Sequence, residues 1–259
     1  MRIAPKVSLN SPVDMSQVAI VLPTYNEKLG LPLFLEQLFL ELSSPTLLII
    51  IDDSDPDSAE ETKVTCENIV SSTHHQLHYF CRNKKMGRGS AVQFGLNEAL
   101  NIDGSLTHIV QADTDGSHQP KDIQRIIEFD STVDIVIGTR YSRGSSIIGW
   151  SATRRIMSKV LNRVIPYLLG IKTSDITNGL RRYSIESVKA LIENPPQHSG
   201  FISLSEELLI LKKYRLTTTD LSISFIDRTS GTSSVTPKLL VDSLLGLLHL
   251  LILRINQKS

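Results

Sequence analysis

The chain has 259 residues, 41% of them hydrophobic and 21% charged, which gives enough apolar chain for a full core and excludes a disordered protein. Lys plus Arg and Asp plus Glu balance at 27 each, so the whole-chain charge points to no partner, and no nucleic acid is expected. Cys66 and Cys81 are the only cysteines, which excludes a disulfide framework or a CxxC zinc site and favours a reducing compartment.

Residues 1–16, with two prolines among polar residues, read as a lead-in without the apolar stretch of a secretory signal, so a cytoplasmic location is expected. Val18 to Leu22 reads as a buried strand, and an apolar helical pattern runs from Leu31 to Leu42. A second strand, Leu47 to Ile51, ends at Asp52-Asp53, and Ser54 to Ser58 supplies the N-cap chemistry of a polar helix reaching about Ser71. A weaker strand over Leu77 to Cys81, a helix from Ser90 to Leu100 and a strand closing on Asp113 follow. Strand and helix in alternation predict an α/β fold, a mostly parallel sheet with helices on both faces.

The second half is less regular. Asp134 to Gly138 is a strand candidate, and Ser151 to Leu169 reads as an amphipathic helix with Met157, Val160, Leu161, Val164, Ile165 and Leu168 on its apolar face. Arg155, Lys159 and Arg163 share another face of that helix. Leu239 to Ile255 is the most apolar segment, but its uninterrupted core falls short of the roughly 20 residues of a spanning helix. An interfacial or a docking helix is expected over 236–259.

Charge is unevenly spread. Asp52 to Glu61 holds six acids and no base, whereas Arg140 to Arg182 holds nine Lys or Arg and one acid, Asp175. Such a basic stretch suits an anion, either phosphate groups or a membrane leaflet.

Open α/β sheets bind ligands outside the carboxyl ends of their strands. Asp113-Thr114-Asp115 follows such an end and suits a hard divalent cation, Mg²⁺ or Mn²⁺, which takes oxygen ligands and shares a substrate's phosphates. Asp53 could accept hydrogen bonds from a base or ribose, or cap the following helix as Asp52 or Asp55 could; Tyr25 could stack on a base. Gly87-Arg88-Gly89 lacks the third glycine of a dinucleotide fingerprint, because Val92 stands there. His74, His75 and His78 read as surface histidines, and Trp150 as a core residue or interfacial anchor.

Six ordered motifs resemble family-2 glycosyltransferases of the GT-A fold, and more narrowly the dolichol-phosphate mannosyltransferases and their bacterial polyprenyl-phosphate relatives. They are Leu22-Pro23-Thr24-Tyr25-Asn26-Glu27, Ile51-Asp52-Asp53-Ser54-Asp55-Pro56-Asp57, Gly87-Arg88-Gly89-Ser90-Ala91, Asp113-Thr114-Asp115-Gly116-Ser117-His118-Gln119-Pro120, Gly138-Thr139-Arg140-Tyr141 and Phe225-Ile226-Asp227-Arg228. The resemblance implies a GT-A, Rossmann-like domain over 17–235 with amphipathic helices on the acceptor side. It implies a nucleotide-sugar donor against Pro23, Tyr25, Glu27, Ile51 and Asp53, a metal on Asp113 and Asp115 with Thr114 beside them, and Arg140 and Arg228 facing phosphates of donor or acceptor. Thr114 stands where the family usually has alanine, and Ser234 where it often has lysine.

The implied reaction is metal-dependent, inverting transfer of a hexose, mannose from GDP-mannose, to a polyprenyl phosphate at the cytoplasmic face of a membrane. A small membrane-anchoring subunit is a further implied partner. An anionic phosphate acceptor needs little general-base help, so Asp115 and Arg140 are expected to act through charge and position. Alternatives are another donor such as UDP-glucose, a glycan or lipid hydroxyl acceptor with Glu206 or Asp175 as base, a nucleotidyltransferase, and a non-catalytic lipid- or nucleotide-binding relative.

Overall fold

The computed structural model describes residues 17–198, 202–227 and 237–256, the last with side chains over 245–254. The expected lead-in, Arg228 and Ser234 lie outside these residues.

The apolar runs are strands buried on both faces, as expected for a sheet covered by helices. In β1 (Val18–Thr24) the residues from Ala19 to Leu22 are fully buried, and all six residues of β2 (Leu47–Asp52) are buried. The first helix, α1 (Gly30–Glu41), buries Leu31, Phe34, Leu35 and Leu38 at helical spacing. Asp55 caps α2 (Pro56–Val70) by accepting from Ser58 N at 3.0 Å, and Pro56 takes the first turn, where no amide donor is needed. The chain continues through β3 (Gln76–Cys81), α3 (Arg88–Ile102), β4 (His108–Gln111), α4 (Pro120–Ile127) and β5 (Ile135–Thr139). There follow β6 (Ser146–Ile148), α5 (Ala152–Leu169), β7 (Arg181–Ser184), α6 (Ile185–Glu193), α7 (Ile202–Lys213), β8 (Thr218–Ser222), β9 (Ser224–Ile226) and α8 (Pro237–Asn256).

Seven strands form one sheet in the order β3-β2-β1-β4-β7-β5-β8, while β6 and β9 pair separately. β1 pairs in parallel with β2 on one side and β4 on the other, so the chain reverses its direction of winding there. A crevice opens at such a point, at the carboxyl ends of the strands. β7 alone runs antiparallel to its neighbours β4 and β5, which brings its leading segment, Thr177 to Leu180, to that same edge.

The polar sequence of β7 hid it from periodicity. Arg181 and Arg182 are fully buried. Arg181 donates to the carbonyls of Ile176 and Leu204 at 2.8 Å and to Glu207 at 3.0 Å, and Tyr183 Oη donates to the same carboxylate at 2.7 Å. On the other face, Arg182 donates to the carbonyls of Ile127, Phe129, Asp130 and Val133, while burial draws its pKa down. Buried charge is tolerated when most of its donors are so occupied; here only Arg182 Nε is left without a partner. The expectation of an anion-facing stretch through Arg182 is therefore corrected: these two arginines are internal.

A second correction concerns α5. The helix buries Asn162, Ile165, Pro166 and Leu169, so Ile165 of the expected apolar face meets the core and Leu168 is half-buried, while the other four residues turn outward. Met157, Val160, Leu161 and Val164 are 44–54% exposed, beside exposed Ile156 and Tyr167. α8 packs on α5 and α7 through buried Leu250, yet leaves Leu245, Leu248 and Ile252 exposed. No helix among the described residues is long and apolar enough to cross a membrane.

The helix α3 lies against β1 and β2 at Gly95, where a Cβ would sit 2.4 Å from Val21 Cγ1 in the packed core. Gly95→Ala should therefore lower stability by about 1–3 kcal/mol through overpacking. Equilibrium urea unfolding with an unchanged m value checks this.

Candidate active site

Four strand ends and one helix start meet at the carboxyl edge of the sheet. At the first, Asn26 adopts φ 58, a left-handed conformation that asparagine accepts, and its N–H donates to Ser54 Oγ at 2.8 Å. This turn leaves Tyr25 42% exposed, with Lys85 Nζ 4.1 Å from its ring centroid. Pro23 is half-buried. Glu27 folds back on the start of α1, where its Oε2 fills the space a side chain at Gly30 would need.

The second strand end separates its two aspartates. Asp52 accepts from Ser54 N at 2.9 Å and Tyr79 Oη at 2.6 Å, and burial together with this carboxylate pushes the Tyr79 hydroxyl pKa upward. Asp53 is held by the Arg82 fork, at 2.6 and 2.9 Å, and by the N–H groups of Met86 and Gly87 at 2.8 and 3.2 Å. With four donors the carboxylate anchors the 82–89 segment at the mouth of the site. No sequence motif signalled Arg82 as the partner of Asp53. Ile51 is fully buried in the core beneath this strand end.

After β4, Asp113 and Asp115 are both partly exposed, whereas Thr114 between them is buried and faces away from solvent. Asp115 accepts from Ser117 N at 3.1 Å, which shapes the turn at Gly116, φ 76. Arg88 Nε donates to Asp113 Oδ1 at 2.6 Å. His118 locks the loop beneath. Its Nδ1 accepts from Asp113 N–H at 2.9 Å, which leaves Nε2 to donate to Asn178 Oδ1 at 2.9 Å, and Asn178 donates in turn to Gly138 O at 2.5 Å. This chain ties the aspartate loop to β5 and to the segment before β7. His118 lay within a quoted motif, but only the fold gives it a partner.

Among the described residues no three His, Cys, Asp or Glu side chains gather into a closed metal cage. Two carboxylates at an open strand end instead fit a hard divalent ion that keeps waters and takes further oxygens from a bound diphosphate.

At the end of β5, Arg140 makes a bidentate pair with Asp175, 2.7 Å at each contact, and also donates to Thr177 Oγ1 at 2.8 Å. Its side chain is 7% exposed and that of Asp175 is fully buried. Burial works to lower the guanidinium pKa, and Asp175 outweighs it and raises it. Arg140 packs 5.2 Å from the ring centroids of Trp150 and Phe225, and Arg154 lies 4.0 Å over Trp150 while pairing with Asp227. Trp150 is thus a platform between two arginines rather than a plain core residue.

The sequence model of the family described as "Glycosyl transferase family 2" matches residues 19–192. The chain belongs to glycosyl transferase family 2. Its curated relatives include "Polyprenol monophosphomannose synthase" of Mycolicibacterium smegmatis, 27% identical over 217 residues, 83% of this chain and 80% of that one. "Undecaprenyl-phosphate mannosyltransferase" of Micrococcus luteus is 27% identical over 219 residues, 85% and 87% of the two chains. Among solved structures, glucosyl-3-phosphoglycerate synthase from Mycobacterium tuberculosis, in complex with Mn²⁺, UDP and glucosyl-3-phosphoglycerate, superimposes with a TM-score of 0.59 at 17% identity, over 92% of this chain and 80% of that one. That likeness shows the GT-A fold.

In this glycosyltransferase, neither carboxylate considered as a base for a hydroxyl acceptor is available. Asp175 is spent on Arg140, and Glu206 is buried and accepts from His198 N at 3.0 Å and Nδ1 at 2.8 Å. His75 is also structural, stacked on Phe39 and accepting from Thr46 N at 3.2 Å. Arg140→Met would leave Asp175 charged and unpaired in the interior. It should cost about 3–5 kcal/mol of stability, read from the denaturation midpoint, beyond any effect on turnover.

Proposed function

We propose that this glycosyltransferase moves mannose from a nucleoside diphosphate-mannose, GDP-mannose, to a polyprenyl phosphate, with inversion at the anomeric carbon. The supporting observation is the Asp113-Thr114-Asp115 loop at the sheet's switch point, in a chain similar over most of its length to two proteins named for mannose transfer to such lipids. An acceptor phosphate oxygen forms the new bond to C1 as the bond from C1 to the diphosphate oxygen breaks. The electron pair leaves with the nucleoside diphosphate. A phosphate monoester is anionic near neutral pH, so the reaction needs no carboxylate base. The absence of an available base among Asp175 and Glu206 accords with that.

Asp113 and Asp115 would hold Mg²⁺ or Mn²⁺, which stabilises negative charge on the departing diphosphate. Tyr25, carried on the exposed turn, offers a face for the base, and the Asp53–Arg82 pair offers its polar edge. Arg140 holds the acceptor side in shape through Asp175, Thr177 and Trp150. Arg154, 40% exposed on its side chain and stacked on that same tryptophan, is better placed to meet the acceptor phosphate. The domain boundaries at 17 and 235 follow from the motifs and belong to this reading.

Polyprenyl phosphate resides in a bilayer, and the exposed apolar side chains of α5 and α8 suit a leaflet's boundary. Exposed Arg155, Lys159 and Arg163 on α5 suit anionic headgroups. Peripheral docking at the cytoplasmic face through these helices follows, with a small anchoring subunit dispensable for contact with protein-free vesicles.

Asp115→Ala should abolish mannosyl transfer to polyprenyl phosphate, measured as organic-extractable label from a panel of nucleotide-sugars with Mg²⁺ or Mn²⁺, while the circular dichroism spectrum stays unchanged. Near wild-type transfer by that variant would remove the site assignment, and preference for another nucleotide-sugar would correct the donor. In a separate flotation assay with phosphatidylglycerol vesicles, the double substitution Val160→Asp and Leu161→Asp should release the protein from the lipid fraction. Continued flotation would place the membrane contact elsewhere.

A further inference from the structure

The Asp113 carboxylate already faces a cation that the chain itself supplies. Arg88 opens α3, and besides its 2.6 Å bond to Asp113 it donates from Nη2 to Gly179 O at 3.1 Å. Its Nη1 is buried with no hydrogen-bond partner. Room for the guanidinium exists only because residue 179 is glycine: a Cβ there would lie 2.2 Å from Arg88 Nη2 and 2.8 Å from Cζ. Two elements far apart in sequence thus set an arginine fork on a candidate metal ligand with one corner unused.

A divalent ion and a guanidinium compete for the same carboxylate oxygens. Withdrawing the arginine toward nothing is unfavourable, since its donors would lose their partners in a buried place. A diphosphate removes that obstacle, because its oxygens match the guanidinium fork and lie at the positive end of α3. We infer that Arg88 is an internal counter-cation of Asp113 that makes divalent-cation binding conditional on a nucleoside diphosphate: the diphosphate takes over the guanidinium and frees the carboxylate. The inference rests on the proposed role of Asp113 as a metal ligand. Because coupling between two ligands is reciprocal, the ion must raise diphosphate affinity by the same factor.

The test titrates Mn²⁺ into the full chain with and without saturating GDP, following free Mn²⁺ by electron paramagnetic resonance. Wild type should bind Mn²⁺ roughly tenfold or more tightly with GDP than without it. Arg88→Met should bind Mn²⁺ alone roughly tenfold more tightly than wild type and show its coupling with GDP reduced by about the same factor, the remainder being direct contact between ion and diphosphate. Gly179→Ala keeps the charge but pushes the fork off Asp113, so it should shift both quantities the same way, and it decides the matter if Arg88→Met does not fold. Mn²⁺ affinity and coupling unchanged in the folded variants would overturn the inference. Equal binding of Mn²⁺ with GDP by wild type and Asp113→Asn would instead show that the ion sits elsewhere, which removes the metal reading and this inference together.

Discussion

Bringing several carboxylates to one edge of a sheet is the constraint on which the rest of this molecule depends. Like charges in a partly dry crevice raise one another's energy unless each is offset. Here the offsets are arginines drawn from other segments: Arg82 for Asp53, Arg88 for Asp113, Arg140 for Asp175 and Arg154 for Asp227. Asp52 differs, being satisfied by neutral donors from Ser54 and Tyr79. An arginine suits this work better than a lysine because its planar fork engages both carboxylate oxygens and remains charged when buried.

The pairs differ in exposure, and their roles divide accordingly. Asp53–Arg82 and Arg140–Asp175 are nearly sealed, with side-chain exposures between 0 and 9%. Their charges are fixed parts of the crevice wall at the ends of β2 and β5. Asp113–Arg88 and Arg154–Asp227 keep 24–40% exposure and can exchange partners with an incoming ligand. The exchangeable pairs are the ones at which ligand charge would arrive.

The antiparallel strand β7 links these regions. It sits between β4, which leads to the aspartate loop, and β5, which leads to Arg140, and the segment before it supplies Asn178 to the His118 relay and Gly179 to Arg88. The burial of Arg181 and Arg182 within it arranges eight acceptors around two charges, four for each guanidinium, with Arg182 Nε alone unpaired. A strand so expensive to desolvate is held by its surroundings rather than by its own sequence preference.

The first half of the fold was legible in the sequence because parallel strands buried on both faces must be continuous apolar runs, as in Leu47 to Ile51, and helices between them must repeat their apolar residues at helical spacing. The aspartates ending those runs were legible for the same reason, since the strand's end dictates where they emerge. Tertiary structure alone decided β7, whose Arg-Arg-Tyr-Ser carries no period, and the outward turn of most of the apolar side of α5, since amphipathicity marks two faces without saying which one meets protein. It alone decided which aspartates are committed to arginines and which remain open to exchange. Pairing is set by distances between segments 25 to 73 residues apart in the chain, as for Arg88 with Asp113 and Arg154 with Asp227, and no local pattern carries such a distance.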